Sequence, residues 1–166
     1  MNGKPVLATL DFEASSLGED GYPIEVGCVI EIGSKPSIQF SSLIKPRREW
    51  AAGKGWNEAS AAIHGITRED LAHGMDADEI CPVLDKMLSG LTVVVDGGSY
   101  DRFWLERRYG LLAPTFELDD LSGIDVGWFA ERKRSSRVAH RALPDALWLY
   151  RTVVGYGQHS WGPSRH

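Results

Sequence analysis

The order of hydrophobic periodicities along the chain predicts a single α/β domain, a mixed sheet with helices on both faces. Three observations carry this. Three strand-like runs come first, at residues 5–10, 24–32 and 37–44, the last two joined by the turn-prone Gly33-Ser34-Lys35-Pro36. Helical spacings then alternate with two further short apolar runs, at 91–95 and 116–118, for five strands in all. Finally, 166 residues suffice for one well-buried core and are few for two. The domain is read as spanning 1–166, with its core at about 5–154 and a loosely packed tail at 155–166.

Each element has its own signal. Residues 5–10 form a near-continuous apolar run, as for a strand covered on both faces. The runs at 24–32 and 37–44 read as an antiparallel hairpin beside it. Residues 47–56, rich in Gly and Trp, read as loop. Asn57 is placed to cap a short helix through Ile63, and Thr67 to cap another segment with Glu69 and Asp70 in its first turn. Apolar residues at Ile80, Val83, Leu84, Met87 and Leu88 give the helical period over 76–88. The run at 91–95 is a short buried strand stopped by Asp96-Gly97-Gly98, and a helix containing Phe103, Trp104 and Leu105 follows, ending near Gly110. A helix is expected over 121–134. The last runs from about Leu143 to Val154, with Pro144 in its first turn, where a missing N–H costs nothing.

Bulk properties narrow the class. Hydrophobic content of 43% and charged content of 25% are those of a soluble globular domain. The longest apolar runs are about five residues, far short of the roughly 20 that span a bilayer. No secretory signal pattern begins the sequence. The two cysteines, Cys28 and Cys81, make no disulfide framework and no C-x-x-C motif, and read as small hydrophobes in a reducing compartment. A cytoplasmic protein is expected. A net charge of −5 is unusual for a protein that handles nucleic acid, but it governs long-range attraction rather than what a local groove holds. Positive charge is also concentrated: Arg132, Lys133, Arg134, Arg137 and Arg141 fall within ten residues, beside His140. A solvated loop is the ordinary reading of such a run; next to His140 it reads as a phosphate-contacting loop.

Three short stretches hold the residues suited to metal-dependent phosphodiester chemistry. Asp11 and Glu13 close the first strand two residues apart, so both project from one face, where their oxygens suit hard cations such as Mg²⁺ and Mn²⁺. Taken alone, the pair is equally an acidic strand end facing water. Asp101 stands within the first turn of the helix after the fourth strand, where a lone acid also complements the helix dipole. Tyr100 beside it reads as core. His140 and Asp145 are five apart, about 140° of rotation on one helix, so they share no helix face. Asp145 therefore belongs in the first helical turn and His140 on the loop before it, free to accept a proton near neutral pH.

Together these motifs are far more specific than any one. With Asp11-Phe12-Glu13, Tyr100-Asp101, His140 and Asp145 in this order, the chain resembles the DEDDh-type 3′–5′ exonucleases, the DnaQ-like family, from Leu7 to about Val154. The segment Ala59-Ser60-Ala61-Ala62-Ile63-His64-Gly65-Ile66-Thr67 is similar to the one those enzymes place near the terminal nucleotide. The resemblance implies a ribonuclease H-like fold whose central mixed sheet has five strands. It implies two divalent cations, Mg²⁺ or Mn²⁺, with Asp11 bridging them. Glu13 and Asp145 would complete one shell, and Asp101 would act largely through bound water. His140 would be the general base. Backbone groups of Ala14 and Ser15 would touch the terminal 3′-hydroxyl, and Ile63 and His64 would flank its sugar or base. Partners would be single-stranded or 3′-ended DNA or RNA, including short oligonucleotides, released as nucleoside monophosphates.

Two positions depart from the family pattern. Its common Thr-Thr-Gly is Ala14-Ser15-Ser16 here, and its frequent His-Asn at the strand end is Asp96-Gly97. Two other functions share the motifs: a non-catalytic nucleic-acid-binding module of the same fold, and a metal phosphoesterase acting on nucleotides. Weaker features read structurally. Gly53-Lys54-Gly55 lacks phosphate-loop spacing, and Asp119, Asp120 and Asp125 suit turns and helix starts. Trp104, Trp128 and Trp148 suit core helix positions, whereas Trp50 and Trp56 stand in a loop near His64, where stacking on a substrate is open.

Overall fold

The computed structural model describes residues 7–32, 35–97, 99–105, 115–117 and 140–160. The labels that follow number the described elements in chain order. The strands are β1 (Leu7–Ala14), β2 (Pro23–Ile32), β3 (Lys35–Lys45), β4 (Met75–Asp76), β5 (Thr92–Val95) and β6 (Thr115–Glu117). The helices are α1 (Arg48–Ala51), α2 (Glu58–His64), α3 (Ala77–Leu88), α4 (Ser99–Phe103) and α5 (Ala142–Ser160). The predicted helix over 121–134 and most of the basic run lie outside the described residues.

The sheet is mixed, in the order β4-β3-β2-β1-β5-β6. β1, β2 and β3 pair antiparallel as the expected hairpin laid beside β1, while β5 joins β1, and β6 joins β5, in parallel. These are the five strands of the expectation. A sixth, β4, is a two-residue parallel pairing of Met75 and Asp76 with Ile44 and Lys45. So short a pairing has no alternation of its own to announce it.

Alternation on β1 and β2 divides the sheet into two faces. Ala8, Leu10 and Phe12 pair across the ladder with Ile30, Cys28 and Val26, all buried against Ile80, Leu84 and Leu88 of α3 and against Trp104. Thr9 and Val29 point the other way, to α5: the Thr9 hydroxyl donates to Ala146 O at 2.8 Å, and Val29 packs with Ala146 and Tyr150. Helices therefore cover both faces. Cys28 is fully enclosed, and burial pushes its thiol up to about 12, so it is an inert hydrophobe.

Three local expectations are corrected. Residues 47–56 contain the short helix α1, in which Trp50 is buried, stacked on Tyr22 and covered by the Arg47 guanidinium at 4.8 Å. That enclosure removes Trp50 from any substrate surface. The last helix runs past its expected end at Val154: α5 continues through Ser160, because each added residue gains a backbone hydrogen bond once a helix is nucleated. Tyr100 is exposed rather than core, since α4 turns it outward. Other caps hold as read: Asn57 Oδ1 accepts from Ala59 N and Ser60 N at 2.8 and 3.2 Å, and Thr67 and Asp70 bond reciprocally.

Candidate metal centre

β1 carries the first two acids to the edge of the sheet. Asp11 and Glu13 occupy the α5 face of the strand, opposite Gly27 and Glu25 in the antiparallel register. The register slips between Glu13 and Ala14, a bulge that breaks the alternation and lets both line the same cavity.

The start of α5 reaches Asp11 because Gly27 has no side chain. A Cβ there would overlap the backbone of Ala142 and Leu143, so the helix start rests directly on the β2 backbone level with Asp11. Glu25 fixes it in that place. Its carboxylate, 3% exposed, accepts from Arg141 Nε at 3.1 and 3.0 Å, from Arg141 Nη2 at 2.6 Å and from Ala142 N at 2.9 Å. The acid on the strand thus serves the helix as an N-terminal cap from another element. Arg141 is consequently committed to Glu25 rather than to the phosphate contact expected of the basic run. Asp145 then falls in the first turn, its N–H bonded to Arg141 O at 3.1 Å, and His140 stands exposed on the preceding bend.

Asp101 arrives from the other side. It is the third residue of α4, only 2% exposed, and Gly97 N donates to its Oδ2 at 3.1 Å. A Cβ at Gly97 would overlap that carboxylate, so glycine is what lets Asp101 fold back over the end of β5.

These acids form two groups that share one member. Oxygens of Asp11, Glu13 and Asp145 lie within 4.8 Å of one another, as do those of Asp11, Asp96 and Asp101. Asp11 is 8% exposed, and its Oδ2 is buried with no hydrogen-bond partner among the described residues. Burial, then Asp101, Asp96, Glu13 and Asp145 in that order, hold its carboxyl well above the usual carboxylate range. A buried acid repelled by its neighbours and lacking a donor is an arrangement that cations relieve. The all-oxygen donor set fits Mg²⁺ or Mn²⁺.

A cavity of about 260 Å³ opens over the acids, lined by Asp11, Glu13, Ala14, Ile63, His64, Asp101 and His140 among others. Ile63 is 61% exposed, an apolar side chain held out at the rim. His64 is buried, accepts the Ile66 N–H on Nδ1 at 3.0 Å and meets Trp56 edge-on. Burial lowers its basicity, so it is a neutral ring with its proton on Nε2. Ser15 is placed otherwise. It is fully buried, its N–H donates to Tyr22 O at 2.9 Å, its carbonyl accepts from Asn57 N at 2.9 Å, and its hydroxyl donates to Gly55 O at 2.7 Å. With every polar group spent on the loop, Ser15 is a staple of the cavity wall, and Ala14 alone of the two faces the opening. Leu17 and Tyr100 line the cavity as well as a neighbouring groove of about 590 Å³.

The sequence motifs single out neither Glu25 nor Gly27, and mark Asp96 only as a strand end that departs from the family pattern. A lone acid inside the apolar run Ile24-Glu25-Val26 is the one signal that points to a buried partner for Glu25.

No family model and no curated protein matches the sequence. Solved structures do. Exonuclease I from Methylocaldum szegediense superposes with a TM-score of 0.70 at 17% identity, over 95% of this chain and 41% of that one. Exonuclease X bound to 5′-overhanging duplex DNA gives 0.64 at 21%, over 95% of both chains. A 3′-exonuclease that recognises the 3′ end of a histone mRNA stem-loop gives 0.64 at 14%, over 93% and 64%. The chain thus spans about two-fifths of the exonuclease I length but nearly all of exonuclease X. It has the ribonuclease H-like fold of the DnaQ-like 3′–5′ exonucleases, with an acidic cluster at the ends of β1 and β5.

Proposed function

We propose that the chain is a metal-dependent exonuclease domain that hydrolyses nucleic acid from the 3′ end, releasing nucleoside monophosphates. The observation that carries this is Asp11, a buried acid whose Oδ2 has no donor among the described residues, common to two groups of three carboxylates. Two divalent cations, Mg²⁺ or Mn²⁺, would supply an activated water and charge stabilisation for the departing 3′ oxygen.

The chain's own residues do the rest. Asp11 would bridge the cations, with Glu13 and Asp145 serving one and Asp101 the other. His140, exposed at the cavity rim, would take the proton of the attacking water, a role supported by its place on the bend before α5. Ile63 and the neutral His64 would flank the terminal sugar or base, and Ala14 would meet the 3′-hydroxyl. The groove bordered by Leu17, Tyr100 and Phe103 continues from the cavity and suits the nucleotides that precede the 3′ end. The acids repel phosphate, so binding depends on the cations.

The test is a 5′-labelled oligonucleotide incubated with Mn²⁺, with and without chelator. The expected result is a ladder shortening from the 3′ end, abolished by chelator. Binding without cleavage would indicate a nucleic-acid-binding module, and release of inorganic phosphate a phosphoesterase; either overturns the proposal. Matched DNA, RNA and dinucleotide substrates in the same assay identify the preferred polymer.

A further inference from the structure

We propose that Asp96 is a direct ligand of one of the two cations, which Asp11, Asp96 and Asp101 hold between them. This deepens the two-cation function above and rests on it. Asp96 lies at the strand end where the sequence departs from the family's His-Asn, so an acid here is a property of this chain.

The backbone sets the position. β1 and β5 run parallel with Thr9 opposite Val94, and continuing that register by two residues brings Asp96 level with Asp11. Asp101 is tied down from the next turn by Gly97 N. The three carboxylates offer oxygens within 4.8 Å of one another. Ligands about 2.1 Å from a single Mg²⁺ stand at most about 4.2 Å apart. At least two of the three pairs must be cis in an octahedral shell, about 3.0 Å apart, so closing the group takes side-chain adjustments of at most about 2 Å.

A second observation points to a ligand: Oδ2 of Asp11, the residue this group shares with Glu13 and Asp145, is buried with no hydrogen-bond partner among the described residues. Strong repulsion between carboxylates that backbone geometry forces together is what a shared cation converts to attraction.

The consequence concerns when the second cation binds. With Asp96, five carboxylates face two divalent ions and leave one negative charge over. Both ions are then held without nucleic acid, and the substrate phosphate is not needed to recruit either.

The experiment is calorimetric titration of Mn²⁺ into the full chain without nucleic acid, for the wild type and Asp96→Asn. The wild type should bind two ions. Asp96→Asn should keep one at near wild-type affinity and bind the other at least ten-fold more weakly. Two ions at unchanged affinity in Asp96→Asn overturn the role of Asp96 and leave the two-cation function standing. No Mn²⁺ bound by the wild type overturns both. Asp96→Cys gives a second test: Cd²⁺ should produce a thiolate charge-transfer absorption that the wild type, with its own Cys28 and Cys81, lacks. Its absence in a folded variant contradicts ligation at residue 96.

Discussion

The two faces of β1 are built from alternate residues of one strand, yet they obey different rules. On one, Ala8, Leu10 and Phe12 meet Ile30, Cys28 and Val26, and the surface is wholly apolar. On the other, Thr9, Asp11 and Glu13 meet Val29, Gly27 and Glu25, where the Thr9 and Glu25 contacts to α5 are hydrogen bonds and the approach at Gly27 depends on a missing side chain. The first face stabilises the fold through volume and burial alone. The second spends part of that stability to hold like charges together, so chemistry and stability are separable by a shift of one residue.

Substitutions on the two faces should pull these properties apart. The largest effect is expected on the polar face. Asp11→Asn should lower turnover below detection while raising the metal-free melting temperature, because it removes a buried charge that four acids oppose. The same repulsion gives a pH signature in chelator. The folded-state pKa of Asp11 is raised, so its contribution to stability is fully present below the unfolded value of about 3.9 and is lost as pH rises through the raised folded value. Metal-free melting should therefore weaken over that rise, and less so in Asp11→Asn; thermal melts across pH in chelator measure both.

His140→Ala comes next. Initial rates should fall by roughly 10²–10⁴-fold if the imidazole is the general base, with Mn²⁺ binding unchanged in calorimetry. On the apolar face, Leu10→Ala should cost about 2–5 kcal/mol in urea unfolding, with the activity of the surviving folded fraction retained. The smallest effect belongs to the joint that aligns α5. Glu25→Gln weakens a charged bond network and should cost about 1.5–3 kcal/mol, toward the low end because the Arg141 side chain is 45% exposed and regains water. Its activity loss should exceed that of Leu10→Ala, since Glu25 holds the helix start that carries Asp145. An active Glu25→Gln beside an inactive Leu10→Ala would erase the distinction between the faces.

Much of this was legible in one dimension. A period of two puts Asp11 and Glu13 on a common face without any structure, and the non-helical spacing of His140 and Asp145 separates a loop residue from a first-turn residue. What resisted reading is relational. The importance of Gly27 lies in the backbone at Ala142 and Leu143, over a hundred residues away, and no local pattern reports that approach. Arg141 reads as part of a basic run until Glu25 is found beneath it. Trp50 and Tyr100 exchange their expected settings because a four-residue helix buries one and a helix start turns the other outward.

The central claim is that the folded chain gathers Asp11 and its neighbouring acids to hold divalent cations. Thermal melting of the wild type in chelator and in millimolar Mn²⁺ tests it most directly. Cations that bind only the folded state at a hundred times their Kd add about 2.7 kcal/mol, a rise of roughly 5–10 °C for a chain of this size, and Asp11→Asn should lose most of it. A wild-type melting temperature that Mn²⁺ and Mg²⁺ leave unmoved would contradict the account.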